Sequence, residues 1–409
     1  MNVTYDFNIR ELIDKENIIV HFQPIVSIKK NKIIGFEALS RGIVGESIIP
    51  PDILFEIAEE NDLVLELDRL CRRKIIEVFT SIDNNTNNTK LFINLDTSII
   101  DKNVVGSGNF YNLICDYSIK PENVVIEIKE SKVNDTKSLM KFINTYRDYG
   151  FIIALDDIGS GHSNMDRFAL VKPDIIKIDK ALIKNINVEF YKQEVFKSLS
   201  ELARKVGAFV VAEGVESEEE AVSVLQYGVD IIQGYYYSKP MVFNSINLND
   251  LVLKTKRTGD KFKVYSINKT KHEMVQKYKL EVLGRGIAKE LKSTEPCEYD
   301  HKLGQVVKEL DFIECAYILD EKGIQKTNTI YDTSDKCFLS KRCIFEPAVK
   351  GTDHSYKDYY FMIHGTTLQQ YISEPYISMA TGNLCKTVSE AFSDSSGNKH
   401  ILCLDININ

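Results

Sequence analysis

Eight short segments rich in Ile, Val, Phe and Leu punctuate the first 240 residues: Ile18–Phe22, Ile33–Leu39, Leu91–Asn94, Val124–Ile128, Ile152–Leu155, Ile175–Ile178, Phe209–Ala212 and Ile231–Tyr236. Most are continuous apolar runs, the pattern of strands covered on both faces, as in a parallel sheet. Between them, apolar positions recur at helical spacing over Asp52–Phe79 (with a break at Asn61 and Asp62), Asp135–Tyr149, Lys180–Val206 and Ser217–Tyr227. Ser217 precedes Glu218, Glu219 and Glu220, and acidic side chains suit the positive end of a helix dipole. Alternating strands and helices predict βα units, and eight strands predict a closed (β/α)8, or TIM, barrel. The few residues between Ile25 and Ile33 cannot supply a parallel crossover, which takes about a dozen or more. The first two strands must therefore form an antiparallel hairpin, giving a modified barrel with one antiparallel strand.

Residues 246–266 are lysine-rich and mixed in pattern, and a helix is predicted from Lys269 to Lys292, weakened near its end by Gly284 and Gly286. Phe312–Leu319, Arg342–Phe345, Tyr359–His364, Tyr376–Met379 and His400–Leu404 then read as separate strands of a small α/β or antiparallel-sheet module. A chain of 409 residues exceeds one ordinary core. The expected division is a barrel domain over 1–247, a connector with a helix over 248–295, and a second domain over 296–409.

Composition narrows the function. With 44% hydrophobic and 27% charged residues the chain reads as an ordinary globular protein. A net charge of −8 argues against a nucleic-acid polymer as partner, but permits a small anionic ligand where a metal supplies positive charge. No apolar run approaches the ~18–20 residues needed to cross a bilayer, and Met1–Arg10 lacks a signal-peptide core. Eight cysteines, six of them after residue 290 and none in a C-x-x-C pair, read as reduced thiols. The expected location is the cytoplasm.

Candidate chemistry gathers where the strands stop. In order, the second to eighth strands bring Glu37, Asn94, Glu127, Asp156 with Asp157, Lys177, Glu213 and Gln233 to one end, the end that holds active sites in such barrels. A single polar residue at a strand end is usually just solvated. Several carboxylates aimed into one mouth repel one another unless cations neutralise them. Oxygen-only ligands favour Mg²⁺ or Mn²⁺, and adjacent carboxylates hold two ions about 3.5–4 Å apart, an arrangement suited to phosphodiester hydrolysis.

Eight ordered blocks then resemble one family. They are Phe22-Gln23-Pro24-Ile25, Glu37-Ala38-Leu39, Ile93-Asn94-Leu95, Glu127-Ile128-Lys129-Glu130-Ser131, Asp156-Asp157-Ile158-Gly159-Ser160-Gly161, Lys177-Ile178-Asp179 and Ala212-Glu213-Gly214-Val215-Glu216, followed by Gln233-Gly234-Tyr235. The pattern is similar to the EAL domain of cyclic di-GMP phosphodiesterases. That resemblance implies Glu37, Asn94, Glu127 and Asp156 as ligands of one metal, with Asp156, Asp157 and Glu213 serving a second. It implies Lys177, Glu37, Glu213 and Glu130 as the catalytic set, with Lys177 on the nucleophilic water and Glu130 anchoring the loop after the fifth strand. Gln23, Arg41, Asp179, Gln233 and Glu216 would contact substrate, Arg41 at phosphate. The implied reaction converts cyclic di-GMP to linear pGpG; a non-catalytic receptor for the same nucleotide is the alternative. In the loop, Ile158 and His162 replace the family's usual Phe and Tyr, and Lys129 stands where a threonine is usual.

Beyond residue 250, Phe345–Tyr360 and Ser373–Gly382 resemble the C-terminal domain of YkuI-type EAL proteins and, more loosely, Cache and PAS sensors. This resemblance implies a sensor for an unidentified small-molecule or protein signal, and the resemblance to EAL domains implies a homodimer. Tyr356, Tyr359, Tyr360 and Tyr376 equally suit a small core, and Asp353 and His354 suit either a turn or a ligand contact.

Overall fold

A computed structural model describes residues 7–82, 89–95, 108–129, 135–161, 165–331, 346–378 and 381–408. Its contacts divide the chain into two compact units, Met1–Ile267 and Asn268–Asn409. In the first, strands β1 (Ile18–Ser27), β2 (Lys32–Val44), β3 (Ser47–Ile49), β4 (Lys90–Leu95), β5 (Val124–Lys129), β6 (Ile152–Ile158), β7 (Ile175–Ile178), β8 (Phe209–Ala212) and β9 (Ile231–Gln233) form one sheet. The order β1-β9-β8-β7-β6-β5-β4-β2 closes through β1–β2 pairing, and β3 only extends β2. β1 runs antiparallel to both β2 and β9, whereas every other barrel neighbour is parallel. The eight-stranded modified barrel and its reversed first strand are thus present.

The barrel interior is built in layers. Ile25, Phe92, Val125, Ala154, Ile175 and Val211, one from each of six strands, form a single buried cluster. Side chains alternate faces along a strand, so the residue two positions on stands directly above. Gly35 occupies this level on β2 because a Cβ there would lie 2.3 Å from the Lys90 carbonyl oxygen and 2.9 Å from the Phe92 ring. The larger cluster, between strands and helices, fills the space outside the sheet.

Three expectations about element boundaries change. The run Lys180–Val206 divides into Lys180–Ile183 and Phe190–Val206, because Asn185 adopts a left-handed φ of 61° between them. The last barrel strand stops at Gln233 instead of Tyr236; Gly234 lies so close to the Val215 backbone that no side chain fits, and the chain turns there. The lysine-rich stretch and the helix after it form one 44-residue helix, Leu248–Leu291. Thr255 and Thr258, which blur its apolar pattern, are buried with their hydroxyls donating to the Leu251 and Lys254 carbonyls. Ser217 caps Glu218–Gln226 through a full capping box with Glu220. No described helix is long and apolar enough to cross a membrane.

In the second unit, β10 (Ile313–Asp320), β11 (Ile330–Tyr331), β12 (Gln370–Ile372), β13 (Tyr376–Ile377), β14 (Leu384–Ser393) and β15 (Lys399–Asn407) form an antiparallel sheet in the order β11-β10-β15-β14-β12, with β13 on β14. One face packs on Ile287, Leu291 and the helix Tyr299–Glu309. The other packs on Tyr359, Tyr360 and Ile363. These three lie on a helix, Asp358–His364, where a strand was expected; seven residues are too few for periodicity to separate the two. Arg342–Phe345 lies outside the described residues. Tyr356 is 83% exposed and builds no core. His354 is buried, its ring nitrogens 2.8 Å from the Tyr359 hydroxyl and from Gln325 Oε1, and burial lowers its pKa to about 4.

Glu390 on β14 provides a pH test of this unit. It is 7% exposed and its Oε2 accepts no hydrogen bond; burial raises its pKa to about 7, with Arg285 opposing and Glu281 adding to the rise. The folded chain therefore keeps a proton that the unfolded chain releases. The resulting stability is complete below the ordinary value of 4.5 and is lost as pH rises through 7. Glu390→Gln is expected to match the parent at pH 4.5 and exceed it at pH 8, by no more than about 3 kcal/mol. Calorimetric unfolding of the full chain at both pH values measures this; equal stability at pH 8 would contradict it.

Candidate active site

Most site residues of the barrel grow from the apolar layer by the same two-residue step. Asn94 follows Phe92, Glu127 follows Val125, Asp156 follows Ala154, Lys177 follows Ile175, Glu213 follows Val211, Gln233 follows Ile231 and Glu37 follows Gly35. On the reversed strand the step runs backward, from Ile25 to Gln23, which the register pairs with Glu37. Asp157 breaks the rule, since neighbours on a regular strand point to opposite faces. An irregularity in β6–β7 pairing between Leu155 and Ile158, with Asp157 at φ 58°, turns both aspartates toward the mouth.

At the centre lies Lys177, 1% exposed. Its Nζ is 2.5 Å from Glu127 Oε1, 2.5 Å from Glu213 Oε1, 3.3 Å from Glu37 Oε2 and 3.5 Å from Asp156 Oδ1. Around it, Gln233 Nε2 donates to Glu37 Oε2 at 2.5 Å and to Gln23 Oε1 at 3.0 Å, while Asn94 Nδ2 donates to Glu37 Oε1 at 2.7 Å. Gln23 Nε2 donates to the Ser238 carbonyl at 3.1 Å.

One ammonium does not balance four carboxylates, and the titration behaviour reflects it. Burial opposes the Lys177 charge, but the four acids outweigh it and hold the ammonium well above its ordinary pKa. Burial raises Glu127 well above the carboxyl range, reinforced by Glu37. It likewise raises Asp156, and brings Glu213 to about 8, with Lys177 opposing in both cases. Burial would raise Glu37 too, but Lys177 and the hydrogen bonds from Gln233 and Asn94 bring it below the ordinary value. Such a cluster gains by taking up protons or further cations.

The donor set fits hard divalent cations. Asn94 Oδ1, both Glu127 carboxylate oxygens and Asp156 Oδ1 are buried without a well-aligned hydrogen-bond donor; Lys177 forms ion pairs with Glu127 Oε1 and Asp156 Oδ1. Oxygens of Asp156, Asp157 and Glu213 come within 4.8 Å of one another. Oxygen-only coordination of this kind suits Mg²⁺, Mn²⁺ or Ca²⁺.

A cleft of about 720 Å³ opens over this cluster, within the size range of small-molecule sites. Gln23, Glu37, Arg41, Asn94, Asp156, Asp157, Lys177, Asp179, Glu213, Glu216 and Gln233 line it. Glu127 lies beneath the lining, fully buried. Arg41 donates one hydrogen bond to the Ser40 carbonyl, Asp179 also caps Lys180–Ile183 through the Ala181 N–H, and Glu216 stands exposed at the rim. Glu130 and His162 lie outside the described residues. The cleft also includes residues not anticipated from the sequence: Asp52, Asp68, Arg72 and Tyr235. Asp68 pairs with Arg72, whose guanidinium lies 5.1 Å from the Phe110 ring centroid. Their spacing of four on a helix was visible, but it ordinarily marks a surface ion pair.

Comparison with known proteins gives a consistent picture. Residues 7–240 match the family described as the EAL domain. The chain is 30% identical over 234 residues to the probable cyclic di-GMP phosphodiesterase PdeB of Escherichia coli K12, covering 57% of this chain and 44% of PdeB. It is 26% identical over 394 residues to the uncharacterized EAL-domain containing protein YkuI of Bacillus subtilis, covering 93% of this chain and 92% of YkuI. The crystal structure of YkuI in complex with substrate c-di-GMP and calcium shares the fold, with a TM-score of 0.81 and 24% identity over 99% of this chain and 100% of that one. The manganese/c-di-GMP complex of Klebsiella pneumoniae BlrP1 aligns at a TM-score of 0.51 and 26% identity, over 55% of this chain and 56% of that one.

Proposed function

Since the chain belongs to the EAL-domain family, we propose that it hydrolyses cyclic di-GMP to linear pGpG with divalent metal ions, Mg²⁺ or Mn²⁺, in the barrel mouth. The observation that carries this reading is the ring of Glu37, Glu127, Asp156 and Glu213 around Lys177, with buried oxygens that lack a well-aligned hydrogen-bond donor. PdeB is named a probable cyclic di-GMP phosphodiesterase, and the YkuI and BlrP1 complexes hold that nucleotide with calcium and manganese respectively; these support the choice of substrate.

Glu37, Asn94, Glu127 and Asp156 would hold one ion, and Asp156, Asp157 and Glu213 a second. When bound, the ions polarise the phosphodiester and lower the pKa of a water. Lys177, whose carboxylates hold it well above its ordinary pKa, would orient the attacking water and donate hydrogen bonds. Arg41 matches the bidentate geometry of a phosphate. Gln23, Gln233, Asp179 and Glu216 contact the nucleotide from floor to rim. Water adds to phosphorus in line, the P–O3′ bond breaks, and the departing O3′ takes up a proton. Glu130 we retain as the anchor of the loop after β6.

Purified full chain is incubated with cyclic di-GMP and Mg²⁺ or Mn²⁺ while pGpG is followed. The expected result is product that disappears on chelation and in Glu37→Ala. Tight nucleotide binding without product would establish the receptor alternative instead. We also assign the second unit a sensor role in a cytoplasmic homodimer. Turnover unchanged after removal of residues 268–409, or a monomeric mass in solution, would remove those assignments respectively.

A further inference from the structure

Lys129 occupies the next level above Glu127 on β5. Alternation puts Val125, Glu127 and Lys129 on the interior face, and the parallel register sets Lys129 beside Asp156 on β6. Its position in the cleft is therefore dictated by the strand. Nζ lies 3.2 Å from Asp157 Oδ2, and Lys129 lines the cleft. Asp157 is itself constrained: its left-handed φ and the β6 irregularity fix where its carboxylate points. That carboxylate belongs to the outer group with Asp156 and Glu213.

We propose that Lys129 is a tethered counter-ion of the outer carboxylate group, which a divalent cation held by Asp156, Asp157 and Glu213 must displace, so that this ion binds more weakly than one held by Glu37, Asn94, Glu127 and Asp156. The inference rests on the metal-binding reading of the cleft. A divalent ion arriving at Asp157 meets an ammonium already paired with it. The ammonium either swings into solvent, giving up its pair, or stays and repels the ion. Both outcomes weaken the outer position. The ion pair does not reach Glu37, Asn94 or Glu127, and Lys129 acts on the shared ligand Asp156 only through space, so the inner position feels it less than the outer one. With the pair 40% and 37% exposed, solvent screens it, and the expected penalty is about tenfold in affinity.

The experiment titrates the full chain with Mn²⁺ alone, without nucleotide, counting free Mn²⁺ by electron paramagnetic resonance. The parent is expected to show a tight and a weak class of site, or only the tight one. In Lys129→Met the weak class tightens about tenfold, or becomes visible, while the tight class moves less than twofold. Lys129→Arg, which keeps the charge, behaves as the parent. Mn²⁺ binding that Lys129→Met leaves unaltered, or a shift of both classes together, overturns the role of Lys129 while leaving the metal site in place. Failure of parent and variant alike to bind Mn²⁺ overturns the metal reading of the cleft, and the inference with it.

Discussion

Lys177→Met is expected to cut turnover of cyclic di-GMP by about 10²–10³-fold, the usual consequence of removing one well-placed polar group from a site of developing charge. Its effect on the fold is equally diagnostic. The wild-type ammonium is the only cation within ion-pair distance of Glu37, Glu127 and Glu213 among the described residues. Breaking a buried charge cluster by removing one partner typically costs about 3–5 kcal/mol. Without added metal, the variant should therefore unfold at a lower temperature than the parent. Mn²⁺ should restore much of the stability, because ions bound to the same carboxylates replace the lost charge, yet should not restore turnover. Thermal unfolding with and without Mn²⁺, alongside the pGpG assay, separates the two effects. A variant with parental turnover would show that Lys177 is only a structural counter-ion.

The second large effect lies in the reversed strand. Phe22→Ala should destabilise the barrel by about 3–5 kcal/mol. Phe22 is completely buried and packs edge-on against Phe36 and Phe243, with ring centroids 6.4 and 6.0 Å away. Its backbone exchanges two hydrogen bonds with Met241, so the cavity opens where β1 meets the segment after the last strand. Those hydrogen bonds hinder collapse around the void, placing the cost toward the upper end. Because Phe22 immediately precedes Gln23, some loss of nucleotide affinity should accompany the loss of stability. Urea unfolding monitored by circular dichroism checks the first effect; a change below about 1 kcal/mol would mean that the reversed strand is held by its backbone pairing alone.

The contrast between these two residues shows what was legible in the chain itself. Phe22 closes the largely apolar run Ile18–Phe22, and a strand covered on both faces follows from that run alone. The short link between Ile25 and Ile33 determined that the first strand had to be reversed, because chain length limits how a connection can cross. Glu37, Asn94, Glu127, Asp156, Lys177, Glu213 and Gln233 were legible as a set because each lies at or near the end of an apolar run, and strand alternation carries such a residue onto the face of the one two before it. Local periodicity and covalent reach suffice for all of these.

Other features depended on partners distant in sequence. Asp157 faces the mouth only because β6 loses its regular register against β7, and a bulge has no signature in a pair of adjacent acids. Lys129 meets Asp157 through the alignment of β5 with β6, and Asp68 and Arg72 reach the cleft because their helix packs over it. Tyr359 and Tyr360 pack as a helix against a sheet that could equally have received them as a strand. Thr258 is buried in a long helix where it accepts a hydrogen bond from the Tyr237 hydroxyl, 21 residues earlier. The sequence by itself determined which residues stand on which strand and which face of it. The tertiary structure decided which strands and helices bring them within reach, because pairing register and helix packing are set by contacts between segments and leave no period within any one of them.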